Sequence, residues 1–168
     1  MLILGIDPGT AITGYGVVEQ KGNSLSAKEY GCIRTDSKLP LETRLAAIYD
    51  KISLVIKTAP VSYVAVEELF FNKNTRTAMA VGQARGVILL AAAHQGIPVA
   101  EYTPLQVKQA LVGFGRATKS QVQEMVRVIL GLPEIPRPDD TADALGLAIC
   151  HAHSWNVNRL ISEDRWPK

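Results

Sequence analysis

The sequence predicts a mixed α/β domain built on a five-stranded sheet, with three antiparallel strands followed by parallel strands and with helices on both faces. Three observations predict this fold class. The chain opens on a continuous apolar run, strand-like segments separated by turns follow it, and from residue 41 onward helical and strand-like segments alternate. The length of 168 residues suits a single domain with a core of its own.

The first strand is predicted over residues 2–6, and it leads directly into Asp7. Five apolar or small residues in a row are typical of a strand that is buried on both faces. Pro8 and Gly9 then end the strand, because proline has no N–H to donate and glycine permits a turn. A carboxylate where a buried strand leaves the core is costly unless it is paired or holds a cation. Asp7 is therefore the first candidate functional residue.

Strands over residues 15–19 and 25–33 complete an antiparallel meander. The helix that follows is predicted from apolar residues that recur at steps of four and three, namely Leu41, Leu45, Ile48, Ile52 and Val55. Residues 61–66 are again strand-like, and this strand also ends in carboxylates, at Glu67 and Glu68. Two carboxylates in succession face opposite sides of a strand, so only one of them can share a site with Asp7.

The second half of the chain is predicted to be mostly helical. Residues 69–74 form an exposed connection, and an alanine-rich helix spans 75–94. A short fifth strand over 96–102 precedes helices at 105–112, 119–130 and 141 to about 155. Residues 1–155 are expected to form the folded domain, and residues 156–168 a flexible C-terminal tail.

The composition is that of an ordinary globular protein, with 47% hydrophobic and 20% charged residues. Cys32 and Cys150 lie far apart without metal-ligand spacing, which favours buried thiols in a reducing compartment. No apolar stretch reaches the length of a membrane span, and Met1 leads straight into the first strand without room for a signal peptide. We therefore expect a cytoplasmic protein that has no membrane partner.

Basic residues concentrate in the middle of the chain, although the net charge is only +2. Residues 71–130 carry seven basic and two acidic side chains, a net charge of +5. The basic ones are Lys73, Arg76, Arg85, Lys108, Arg116, Lys119 and Arg127. A basic segment with separate acidic clusters fits a protein that holds a polyanion over metal-binding carboxylates. Solvated helix faces would explain much of the same pattern, so charge alone leaves both interpretations open.

A second pair of carboxylates lies at the start of the last predicted helix. Asp140 and Asp143 are three residues apart, so both can point at one spot. Taken alone they could equally be capping acids that interact with the helix dipole. If the first and fourth strands are parallel neighbours, Asp7 and Glu67 lie at the same sheet edge, where open α/β sheets bind ligands. Converging carboxylates without cysteine select hard cations such as Mg²⁺ or Mn²⁺.

Six ordered segments of the chain together resemble RNase H-like nucleases, and specifically the RuvC family of Holliday-junction resolvases. They are Gly5-Ile6-Asp7-Pro8-Gly9-Thr10, Val66-Glu67-Glu68-Leu69-Phe70, Gly82-Gln83-Ala84-Arg85-Gly86, Gln106-Val107-Lys108-Gln109, Lys119-Ser120-Gln121-Val122 and Asp140-Thr141-Ala142-Asp143-Ala144-Leu145. The resemblance extends from residue 2 to about residue 153. It implies an RNase H-like fold and a metal tetrad of Asp7, Glu67, Asp140 and Asp143.

The resemblance also implies an activity and its partners. Family members are homodimers that bind four-way DNA junctions and nick two strands of like polarity symmetrically, using two metal ions per subunit, Mg²⁺ with Mn²⁺ as a substitute. It further implies a branch-migration helicase complex of the RuvA and RuvB type as a partner. Two symmetric nicks in a nearly two-fold junction need two sites related by a matching axis. The helix at 75–94 is the candidate dimer interface, with simple packing on the sheet as the alternative.

Further residues acquire roles from the resemblance. Lys108 and Lys119 match family lysines near the scissile phosphates, and Phe70 matches an aromatic residue that stacks on a base. Phe71 is a neighbouring alternative for that ring. The motif register favours Glu67 over Glu68, and spacing favours Asp140 over Asp139. The remaining DNA-binding candidates are Lys73, Arg76 and Arg116.

The histidines and the opening turn each admit a competing interpretation. Some family members carry histidine at the position of Asp140, but His151 and His153 are expected to be structural or surface residues. Actin-type ATPases and sugar kinases also begin with a strand and a similar turn, but they need two such domains and a longer chain. A non-catalytic junction-binding module and a related nuclease that acts on RNA stay open as rival functions.

Overall fold

A five-stranded mixed sheet forms the centre of the computed structural model, which describes residues 1–68 and 75–163, and side chains within residues 1–68 and 78–155. The strands, in chain order, are β1 (Leu2–Asp7), β2 (Ile12–Lys21), β3 (Ser24–Arg34), β4 (Tyr63–Glu67) and β5 (Val99–Tyr102). Their order across the sheet is β3-β2-β1-β4-β5. β1 pairs antiparallel with β2 and parallel with β4, and β4 pairs parallel with β5. The predicted fold class is confirmed, and the first and fourth strands are parallel neighbours, the condition for Asp7 and Glu67 to share one sheet edge.

Five helices cover the two faces of this sheet. They are α1 (Leu41–Thr58), α2 (Thr75–His94), α3 (Pro104–Val112), α4 (Lys119–Leu130) and α5 (Asp139–Glu163). Helices α1 and α2 share one buried cluster with the sheet, in which Leu4, Ile6 and Val64 pack against Ile48, Ile52 and Ile88. Helices α3, α4 and α5 form the core of the other face around Ile3, Ala65, Leu145 and Ile149.

The helix ends follow local capping signals. Thr103 and Thr118 accept hydrogen bonds from the backbone N–H groups of Gln106 and Gln121, and each glutamine side chain bonds back in a capping box. Gly113 and Gly131 end α3 and α4 in the left-handed conformation, with φ of 74° and 63°.

The last helix is longer than predicted. α5 runs to Glu163, whereas the sequence predicted its end near residue 155. Residues 156–163 contain no proline or glycine to stop the helix, so no local signal ends it at residue 155. Residues 164–168 lie outside the described residues, and the division at residue 155 stays a prediction.

No helix in the described ranges is long and apolar enough to cross a membrane. Cys32 in β3 and Cys150 in α5 are both free thiols, and Cys150 is buried.

Candidate active site

Asp7 and Glu67 lie side by side at the carboxyl edge of the sheet. β1 and β4 are parallel neighbours in which Ile6 pairs with Val66, so the next residue of each strand is a carboxylate. Side chains alternate along a strand, which puts Asp7 on the same face as Ile3, the face covered by α5. Glu67 shares that face with Ala65. Glu68 follows on the opposite side and is exposed, so the structure brings Glu67 rather than Glu68 next to Asp7.

The start of α5 lies directly over this edge because two strand residues lack side chains. A Cβ at Gly14 would overlap the carbonyl oxygen of Asp140 and lie 3.0 Å from the amide nitrogen of Thr141. A Cβ at Gly5 would overlap the carbonyl oxygen of Ala144. Glycine at both positions therefore allows the backbone of α5 to contact the strands, which brings the first turn of the helix to Asp7.

A pocket at this edge brings together three of the predicted carboxylates and both predicted lysines. It is lined by Asp7, Glu67, Asp143, Lys108 and Lys119, with apolar walls from Pro104, Val107, Val122 and Leu147. Asp140 lies one turn before Asp143 on α5 and is partly buried. Its charge acts on Asp7 and Asp143, so all four predicted carboxylates interact electrostatically.

Burial and mutual repulsion raise the pKa values of these carboxyl groups. The pKa of Asp7 rises to about 8, first because the group is buried and then because of the charges of Glu67, Asp143 and Asp140. The pKa values of Glu67 and Asp143 are raised as well, mainly by burial. The site therefore holds more negative charge than its surroundings compensate, which is the electrostatic condition of a cation site.

Lys119 supplies part of the missing positive charge. Its Nζ lies 2.9 Å from Oδ2 of Asp143 and 3.5 Å from Oδ2 of Asp139. It is the first residue of α4, directly after the Thr118 cap, so the helix start sets its position. Its charge lowers the pKa values of both Asp7 and Glu67, against the effect of burial.

Asp139 differs from its neighbour Asp140 in its partners. It forms ion pairs with Arg137 and Lys119. The neighbouring Gln123 amide and the charges of Lys119 and Arg137 lower its pKa. Asp139 therefore joins α4 to the start of α5, whereas the charge of Asp140 acts on Asp7.

The carboxylates are not yet arranged around one ion. Within the described part of the chain, no three Asp, Glu, His or Cys side chains already stand close enough together to hold a metal. The donor set nevertheless suits one, because it consists of carboxylate oxygens alone, which hard divalent cations prefer. Lys119 contacts Oδ2 of Asp143, which leaves Oδ1 of that carboxylate for a metal.

The remaining predicted DNA-binding residues are only partly covered by the described ranges. Arg116 is exposed in the connection between α3 and α4, the helices that carry Lys108 and Lys119. Phe70, Phe71 and Lys73 lie outside the described residues. Arg76 belongs to the first turn of α2, and its side chain is not among those described.

The two histidines of α5 are held away from this pocket. His151 is buried, and its Nδ1 lies 2.8 Å from the hydroxyl of Tyr102 while its ring packs on Tyr63. Burial lowers the pKa of His151. His153 Nδ1 lies 3.0 Å from the carbonyl oxygen of Ala110. Both residues connect α5 to its neighbours, in agreement with the predicted structural role.

Sequence reasoning overlooked the residues that position the pocket. Gly5 and Gly14 were not predicted to matter, although a glycine inside a strand often marks close approach of another backbone. The apolar walls from α3, α4 and α5 were not predicted either, because those helices are distant in sequence and meet only in the folded chain.

A family model described as "Crossover junction endodeoxyribonuclease RuvC" matches residues 3–151. The chain belongs to the RuvC family. A RuvC of Desulfitobacterium hafniense (strain DSM 10664 / DCB-2) is 64% identical over 161 residues, which cover 95% of this chain and 98% of that relative. A RuvC of Pelotomaculum thermopropionicum is 62% identical over 161 residues, covering 96% and 98%.

Solved structures of RuvC have the same fold. The structure of Thermus thermophilus RuvC in complex with Holliday junction substrate matches with a TM-score of 0.91 and 42% identity, covering 94% of this chain and 96% of that one. RuvC proteins have the RNase H-like fold and are metal-dependent nucleases. The resemblance seen in the six sequence segments is thereby confirmed.

Proposed function

We propose that this RuvC-family chain resolves four-way DNA junctions by nicking two strands of like polarity, in homologous recombination and DNA repair. The observation that carries the proposal is the meeting of Asp7, Glu67 and Asp143 with Lys108 and Lys119 in one pocket at the sheet edge. The family identification makes the chain a crossover junction endodeoxyribonuclease, a phosphodiester hydrolase.

The carboxylates Asp7, Glu67, Asp140 and Asp143 are the proposed metal ligands. Their oxygen atoms suit Mg²⁺, with Mn²⁺ as a substitute, and four carboxylates are enough to share two ions per subunit. When bound, such ions supply an activated water and stabilise the departing oxygen at phosphorus. The raised pKa values of Asp7, Glu67 and Asp143 support this assignment, because a bound cation would stabilise the ionised carboxylates that burial and mutual repulsion disfavour.

Lys119 and Lys108 are proposed to meet the scissile phosphate. Lys119 holds Asp143 through an ion pair and is 56% exposed, so its ammonium group can turn from the carboxylate to an incoming phosphate. Lys108 lines the same pocket from α3. Two ammonium groups beside a phosphate stabilise the additional negative charge that develops during its displacement.

DNA is proposed to approach along the basic rim of this pocket. Arg116 stands between the two helices that carry the lysines, and its exposure lets it contact the phosphate backbone. Lys73 and Arg76 extend the proposed contact surface, and Phe70 or Phe71 would stack on a base near the exchange point. The complex of the Thermus thermophilus relative with Holliday junction substrate supports a junction as the ligand.

A homodimer is proposed through the exposed face of α2. Ala84, Ile88 and Ala91 of this helix are buried in the core, so one face of α2 packs against its own chain. The opposite face exposes Met79 (67%) and Leu90 (47%) in line with Gln83 and Gly86. An exposed apolar stripe next to a glycine suits close contact with a second helix, and a two-fold axis would present two sites to the two-fold junction. A cytoplasmic location and a helicase complex of the RuvA and RuvB type remain predictions.

Cleavage of a synthetic four-way junction by the purified protein tests the proposal. We expect symmetric nicks that require Mg²⁺, with linear duplex and RNA–DNA hybrid left intact. Asp7→Asn and Asp143→Asn should each lower the cleavage rate about a hundredfold or more, while junction binding persists because less negative charge faces the phosphates. Wild-type rates in either variant would refute the metal site, and cleavage of the hybrid alone would favour a nuclease that acts on RNA.

A further inference from the structure

The proposed metal ligands come from two parts of the fold that meet at a dipeptide of β2, Thr13 and Gly14. Asp7 ends β1 and is the register partner of Gly14 across the antiparallel pair. The backbone of Asp140, at the start of α5, lies directly over Gly14. The distance between the strand carboxylates and the helix carboxylates is therefore determined at this point of the sheet.

Thr13 holds the turn that follows Asp7. Its side chain is completely buried, with a relative exposure of 0%. The hydroxyl donates a hydrogen bond of 2.6 Å to the carbonyl oxygen of Gly9, and it accepts one of 3.4 Å from the Gly9 amide. Gly9 is two residues from Asp7, so one buried hydroxyl fixes the backbone that leaves the carboxylate.

Gly14 sets the height of α5 above the same carboxylate. Any side chain at this position would collide with backbone atoms of Asp140 and Thr141, which cannot rotate away as a side chain can. The first turn of α5 would have to move away from the sheet, and Asp140 and Asp143 would move with it. Successive strand residues point to opposite faces, so the two residues act from opposite sides of the sheet.

We propose that Thr13 and Gly14 are positioning residues for metal binding, with Thr13 fixing Asp7 and Gly14 fixing Asp140 and Asp143 relative to it. This inference rests on the proposed metal site but not on the nature of the nucleic acid. Neither residue touches the reacting atoms. We expect substitutions of either residue to weaken metal binding and to slow the catalytic step. Mutation of a residue that supports metal ligands typically lowers metal affinity or activity by about 10–100-fold.

Thr13→Val is the principal test, because valine keeps the shape of threonine and removes only the hydroxyl. Calorimetric titration of the full chain with Mn²⁺, without DNA, should show about tenfold weaker binding than wild type. On the junction, kcat should fall about tenfold while KM changes little, since the DNA contacts are untouched. Thr13→Ser, which keeps the hydroxyl, should restore Mn²⁺ binding.

Gly14→Ala is the second test, and Gly16→Ala is its matched control. Gly16 lies two residues further along β2 on the same face, and a Cβ there would meet Cδ2 of Leu145 at 2.5 Å. A leucine side chain can shift, so this control disturbs packing under α5 without displacing the Asp140 backbone. We expect Gly14→Ala to weaken Mn²⁺ binding at least about tenfold and Gly16→Ala to leave it near that of wild type.

Three results would overturn the inference. They are wild-type Mn²⁺ affinity in Thr13→Val, failure of Thr13→Ser to restore it, and equal losses in Gly14→Ala and Gly16→Ala. If Gly14→Ala does not fold, the two Thr13 variants decide the question. A wild-type protein that binds Mn²⁺ but leaves junctions intact would refute the proposed function, and the calorimetric comparison would still decide the positioning roles.

Discussion

Asp7 differs from an ordinary surface aspartate in the charge it carries near neutral pH. Burial and three neighbouring carboxylates raise its pKa to about 8, whereas an aspartate in an unfolded chain titrates near 3.9. Between these values the folded protein keeps a proton that the unfolded chain has lost. In the absence of metal, raising the pH through this range therefore lowers the free energy of unfolding.

Asp7→Asn should remove this pH dependence because an amide does not titrate. At pH 8 without metal, we expect the variant to be more stable than wild type by about 1 kcal/mol or more, equal to about 2–4 °C in Tm. The difference should shrink toward pH 4, where the wild-type carboxyl is protonated in the folded state. Thermal unfolding in EDTA across this pH range measures both effects, and a variant less stable than wild type at pH 8 would contradict the assigned environment.

Arg116 allows a separate test of the DNA path. If its guanidinium contacts a phosphate, Arg116→Gln should reduce the slope of log K against log salt by about 1 for junction binding. Lys21→Gln is the matched control, because Lys21 is an exposed residue at the far end of β2 from the Asp7 turn. Equal salt slopes for the two variants would place the DNA elsewhere.

At the level of elements, the start of α4 connects helix stability to the site. The capping box of Thr118 and Gln121 fixes the first turn, and Lys119 in that turn contacts Asp143. α3 begins with the same device at Thr103 and Gln106, but its lysine, Lys108, lies in the second turn. The two helices therefore have the same kind of cap, but the site lysine follows the cap directly in α4 and only one turn later in α3.

Thr118→Ala should lower the free energy of unfolding by about 1 kcal/mol, the usual cost of losing a threonine cap. Thr103→Ala should cost a similar amount. Junction cleavage should fall more in Thr118→Ala, because fraying of the first turn of α4 releases Lys119 directly. Denaturant unfolding measures the stability and single-turnover cleavage measures the rate. Equal cleavage rates in Thr118→Ala and Thr103→Ala would show that Lys119 does not act in the catalytic step.

At the level of the whole molecule, the exposed stripe of α2 predicts self-association. Leu90→Lys replaces one of the two exposed apolar side chains of this stripe with a charge and should shift the chain from dimer toward monomer in analytical ultracentrifugation. Val128→Lys is the control, because Val128 is similarly exposed (54%) but lies on α4. A wild-type chain that is monomeric at micromolar concentration and still cuts both strands would refute the dimer.

Much of this molecule could be predicted from local patterns. The buried run before Asp7, the apolar stripe of α1 and the starts of α3 and α4 each depend on residues within one or two turns of one another. Backbone periodicity and capping chemistry act at that range, so these elements were predicted within a few residues. The predicted end of α5, near residue 155, was wrong, because no local signal stops the helix there.

The sequence by itself determined which residue types could form a cation site and where the strands and the last helix deliver them. Tertiary structure decided which side chains lie close together. Glu67 ends β4 on the face of Asp7 and lines the pocket with it, whereas Glu68 is exposed. Asp139 pairs with Lys119 and Arg137, whereas the charge of Asp140 acts on Asp7. Tertiary structure also showed that Gly14 admits the backbone of α5. The physical reason is the sequence distance over which each effect acts. Periodicity acts along one helix or strand, whereas the distance between two elements depends on how side chains far apart in the sequence pack together.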